Sequence, residues 1–79
     1  MRVAPIVKAV KYLEAGEWKA AHELVQKDAS SLGCWAHGIV HMLEGDLGNA
    51  RYWYRRAGRA ESVDSLEAEF QRLVDSLTA

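Results

Sequence analysis

The chain of 79 residues has one cysteine, one proline and a formal net charge of −1, and each scarcity closes off a class of protein. A single thiol, Cys34, cannot form an internal disulfide, and between Gly33 and Trp35 it reads as a small packed hydrophobe. Pro5 falls where the first turn of a helix tolerates it, so nothing interrupts helix formation from about residue 4 onward. β-branched runs are absent. No stretch of 18 apolar residues is present to span a bilayer, so no membrane partner is expected. Near-neutral charge, with a pI near 6.3, argues against a dedicated nucleic-acid binder. Lys8, Lys11 and Glu14 interrupt the opening turns, where a secretory signal would be apolar, and a cytoplasmic location is expected. No nucleophile is paired with a base, no glycine-rich loop could cradle phosphate, and no two acids are opposed. The expectation is therefore a protein that is not an enzyme and carries no cofactor.

What is present is a globular composition, 49% hydrophobic and 27% charged, arranged at helical spacing. One domain over residues 1–79 would bury about 60 to 65% of the surface its unfolded chain exposes. Val3, Ile6, Val10 and Leu13 make an apolar stripe on a first helix ending near Gly16. Trp18, Ala21, Leu24 and Val25 define a second, running to about Asp28, after which a serine of Ser30-Ser31 can cap a third. Leu32, Trp35, Ile39 and Met42 stripe that third helix up to Gly45, where a residue without a Cβ can turn left-handed. Asp46 caps a fourth helix holding Ala50, Trp53, Tyr54 and Ala57, released near Gly58. Ser62 can cap a fifth, whose seam is Val63, Leu66, Phe70, Leu73 and Leu77. An offset of 29 residues lays Gly16 on Gly45, Glu17 on Asp46, Ala21 on Ala50 and Ala9 on Gly38. The fold class predicted is all-α, with a hairpin over 4–28, a hairpin over 32–59 and a C-terminal helix over 62–77.

Gly38, Gly45, Asp46, Ala50, Tyr54 and Ala57 follow the order of small residues, turn and aromatics found in tetratricopeptide repeats. Residues 34 to 57 resemble a tetratricopeptide or Sel1-type repeat, and residues 5 to 28 a degraded neighbour. Cys34, His37 and His41 stand where the family commonly has a tryptophan, a leucine and a tyrosine. The offset is shorter than the usual 34 or so residues, and the closing proline is missing. The resemblance implies two stacked helix hairpins acting as an interaction scaffold, which binds a protein or peptide in its concave face. It implies no catalytic residue.

That register buries Cys34, His37, Gly38 and His41, whereas the apolar stripe of the third helix lies on its other side. The first helix repeats the conflict, with Lys8, Ala9 and Tyr12 opposite Val3, Ile6, Val10 and Leu13. A groove so apolar needs a cover. The fifth helix has the face for it, within the same chain or, as the alternative, as a swapped arm in a homodimer.

Three constellations could carry function. His37, His41 and Glu44 fall at i, i+4 and i+7, and His22 could reach the same side. They form either a metal or small-molecule site, with Glu44 as ligand or supporting group, or hydrogen-bonded structural histidines. Arg51, Arg55 and Arg59, with Arg56 and the aromatics Tyr52, Trp53 and Tyr54, would dock an acidic peptide. The plainer reading pairs them with Glu61, Asp64, Glu67, Glu69 and Asp75 of the next element. Trp18, Trp35 and Trp53 are read as core, unless Trp35 and Trp53 join a histidine around a pocket. The function expected is non-catalytic binding of a protein or peptide partner, or of a second copy, through Trp35, His37, His41, Arg51, Tyr52 and Arg55. The alternative is a ligand or metal at His22, His37, His41 and Glu44.

Overall fold

The computed structural model describes residues 4–60 and 65–78. Among these residues it is all-α, with no strand. Its helices are α1 (Ala4–Glu14), α2 (Trp18–Val25), α3 (Ser31–Glu44), α4 (Leu47–Arg56) and α5 (Leu66–Thr78). Val3, Glu61, Ser62, Val63 and Asp64, each given a role above, lie outside the described residues.

Each hairpin turns on a glycine. The backbone enters the left-handed region at Gly16 (φ 79°) and Gly45 (φ 91°), where any other residue would be strained. The two turns close with the same pair of hydrogen bonds. Gly16 N–H donates to the Leu13 carbonyl and Glu17 N–H to that of Tyr12, while Gly45 donates to Met42 and Asp46 to His41. The equivalence of the 29-residue offset thus holds at the level of backbone bonding. Ser30 and Asp46 cap α3 and α4 as predicted, accepting from the N–H groups of Gly33 and Asn49.

Helix α2 stops at Val25 instead of reaching Asp28. Asp28 is recruited to the connection, its Oδ1 accepting from Ser30 N–H at 2.9 Å while its side chain lies against Gly33. A carboxylate committed to that turn cannot also sit on a continuing helix.

Helix α3 is the centre of the molecule, packing on α1, α2, α4 and α5. Every residue from Gly33 to Val40 is buried, which resolves the conflict between its two faces. Trp35 and Ile39 pack on one side and His37 and Gly38 on the other, because both sides are covered. Gly38 marks the closest approach, where an added Cβ would lie 2.3 Å from Cδ1 of Tyr54. In α1, Ile6, Ala9, Val10 and Leu13 are buried and Lys8 is exposed.

Helix α5 lies on α1 and α3 of its own chain, with Leu73 fully buried and Leu66, Phe70 and Leu77 half-buried against the core. Within one chain it takes the covering position. Burying Leu73 contributes about 1.5 to 3 kcal/mol. No helix among the described residues is long and apolar enough to cross a membrane.

Candidate functional site

Two side-chain systems lie on either side of α3. The first fastens α5. Trp35 donates its indole N–H to Oε2 of Glu69 at 3.1 Å, and the Tyr54 hydroxyl donates to the same oxygen. Arg72, one turn further along α5, donates from Nε to Oε1 at 3.0 Å. Burial raises the proton affinity of the Glu69 carboxyl, but donation from Tyr54, Trp35 and Arg72 outweighs it and holds the pKa below 4.5. Burial, then the bond to Glu69, push the Tyr54 hydroxyl well above its ordinary 10.0. The Arg59 guanidinium covers the Trp35 ring, 3.5 Å from its centre.

These contacts correct the reading of Glu69 as one of several surface acids facing the arginines of α4. It is buried, with 3% of its surface exposed. Nor does α5 come alongside α4, the two being linked by the reach of Tyr54 to Glu69. Glu69 stands between Leu66 and Leu73 at helical spacing, so a carboxylate on the apolar stripe was the available signal.

The second system is a column of rings. His37 and His41, one turn apart on α3, stack with centroids 5.0 Å apart, and His37 stacks on Trp53 of α4 at 3.8 Å and 11°. The Arg56 guanidinium lies 5.0 Å from the Trp53 ring centre. From α2, His22 meets His37 and His41 edge-on, at 4.7 and 5.4 Å between centroids. His41 Nδ1 lies 2.8 Å from a Glu44 carboxylate oxygen. His37 has 3% of its surface exposed, and its Nδ1 has no hydrogen-bond partner among the described residues. Burial first, then the neighbouring His22, His41 and Arg56, lower its pKa from 6.5 to about 4, so the ring is neutral at pH 7.

Of the residues expected to contact a partner, Trp35 and His37 are buried at 1% and 3% exposure, which removes them from any docking surface. His41 is half-buried, whereas Arg51, Tyr52 and Arg55 are exposed on α4. The structure brings His22, His37 and His41 together, and Glu44 joins them through His41. The pocket imagined around both tryptophans divides, with Trp53 beside His37 and Trp35 facing Glu69. Arg56 lies over the rings of Tyr52 and Trp53 and Arg59 over that of Trp35, while the pairing expected with Glu61 and Asp64 falls outside the described residues. Asp46, near His41 and Glu44, is occupied as the cap of α4 and accepts from Asn49 twice.

Fold and site together define an all-α chain of two glycine-hinged hairpins and a fastened fifth helix, with a histidine–tryptophan column between α2, α3 and α4. Comparison with family models, with curated proteins and with solved structures finds no match to this chain.

Proposed function

We propose that this chain is a non-catalytic interaction module, of the tetratricopeptide-like kind, that docks an acidic protein segment on the outer face of α4. The observation that carries this reading is the position of α5. It packs on α1 and α3 and leaves Arg51, Tyr52 and Arg55 exposed; Leu47, Arg51 and Arg55 form one row at i, i+4 and i+8, with Tyr52 next to Arg51. Leu47 and Tyr52 expose 51% and 47% of their surface and supply apolar area beside the two arginines. Guanidinium forks beside an apolar anchor suit a peptide that alternates carboxylates with leucine or phenylalanine. In the register of the resemblance a peptide would lie along α1 and α3, where α5 packs, which favours docking on α4. Cytoplasm is the proposed setting, where the buried Cys34 thiol stays reduced.

A fluorescein-labelled peptide alternating glutamate and leucine tests the reading by anisotropy. Saturable binding, weakened by added salt and lost in the double charge reversal Arg51→Glu, Arg55→Glu, is the expected result. Binding that is absent, or that survives the reversal, overturns it.

A further inference from the structure

The three imidazoles have a geometry that docking on α4 does not use. His22 comes from α2, and His37 and His41 from successive turns of α3. One ring nitrogen from each lies within 4.8 Å of the other two. A tetrahedral ion holding nitrogens at 2.0–2.1 Å needs them about 3.3 Å apart. Binding would draw the three nitrogens together, with His22, the ring that neither Glu44 nor Trp53 holds, turning most.

Two further observations distinguish the cluster from histidines used as ordinary packing. His37 keeps a ring nitrogen buried without a hydrogen-bond partner among the described residues. Buried polar side chains in folded proteins are seldom left in that condition. His41, by contrast, has its Nδ1 engaged by Glu44, which fixes the ring and leaves Nε2 with its lone pair. A carboxylate behind one imidazole is the usual arrangement around a metal-bound histidine, because it orients the ring and strengthens it as a donor. Trp53, stacked flat on His37, holds that ring in one orientation.

We propose that His22, His37 and His41 form a binding site for one divalent transition-metal ion of the zinc class, with Glu44 positioning His41 and Trp53 positioning His37. Imidazole selects this class over calcium and magnesium, which take oxygen ligands. The ion joins α2 to α3 across the connection at residues 26–30, so its effect on the molecule is to clamp the two hairpins together. Three protein nitrogens leave a fourth position to water. Glu44 is thereby assigned to holding His41 and not to ligating the ion.

The test uses the full chain, stripped with chelator and titrated with zinc by calorimetry and with cobalt(II) by absorption. The expected result is one ion per chain, with micromolar or tighter affinity, and the intense ligand-field bands of four-coordinate cobalt. His22→Ala and His41→Ala, at half-buried positions, should each lose at least tenfold in affinity while circular dichroism stays helical, and Glu44→Gln should lose about tenfold. Absence of stoichiometric uptake, a cobalt spectrum that stays octahedral, or zinc binding undiminished in His22→Ala overturns the proposal. The cobalt spectrum is read on the wild-type chain, so a variant that fails to fold does not remove the test. The glutamate–leucine peptide is not a reagent here, and either result stands without the other.

Discussion

Glu69 concentrates more of the molecule's chemistry than any other residue, because one buried carboxylate accepts from an indole, a phenol and a guanidinium on three different elements. Replacing it by alanine leaves the Trp35 N–H and the Tyr54 hydroxyl buried without an acceptor, each at about 1 to 3 kcal/mol. We expect Glu69→Ala to lower the unfolding free energy by about 2 to 5 kcal/mol, measured by urea denaturation, and Tyr54→Phe to lower it by less. The same carboxylate sets a pH dependence. Its pKa in the folded chain lies below 4.5, so the unfolded chain binds its proton more readily. Its stabilising contribution is therefore complete above pH of about 4.5 and is lost as pH falls through the folded value. Denaturation midpoints of the wild type should fall more steeply below that pH than those of Glu69→Gln. Parallel declines would show that Glu69 is not the group responsible.

At the scale of the element, the glycines separate those that make room from those that do not. A Cβ at Gly38 would stand 2.3 Å from the Tyr54 ring and 3.3 Å from the Ala50 carbonyl oxygen, and neither can retreat, since both belong to the buried face of α4. Gly38→Ala gains about 1 kcal/mol of helix propensity and loses more to overpacking, with a net destabilisation of about 1 to 2 kcal/mol expected. Gly48, near the start of α4, would place its Cβ 3.9 Å from Asp46, an ordinary contact. Gly48→Ala should stabilise the chain by about 0.5 to 1 kcal/mol. Thermal melts of the two variants should move in opposite directions. What was legible in the sequence follows the same division. Gly16, Gly45, Ser30 and Asp46 act through local backbone geometry, so their roles as hinges and caps could be read from neighbours in the chain. Helix α2 was read too long because Asp28 is claimed by the turn. Glu69 was misplaced because its burial depends on Trp35 and Tyr54, residues 34 and 15 positions away. The histidines could be grouped from i, i+4 spacing on α3, but that His37 would lie against Trp53 depends on the crossing of α3 and α4.

For the whole molecule, the decisive question is whether two hairpins stand without the fifth helix. Removing α5 uncovers the sides of α1 and α3 on which it packs, Trp35 among them. It also leaves the Trp35 N–H and the Tyr54 hydroxyl without their acceptor. An apolar face uncovered along two helices is of a kind that small soluble monomers seldom expose. A chain ending at Arg59 should therefore be poorly helical by circular dichroism or self-associate in light scattering. A synthetic peptide of residues 60–79, added in excess, should restore helicity by reoccupying the groove, and Glu69→Ala in that peptide should weaken the rescue by at least tenfold. A truncated chain that is monomeric and fully helical would mean that α5 rests on a finished fold, with Glu69 marking where it attaches and not what holds α1 and α3 together.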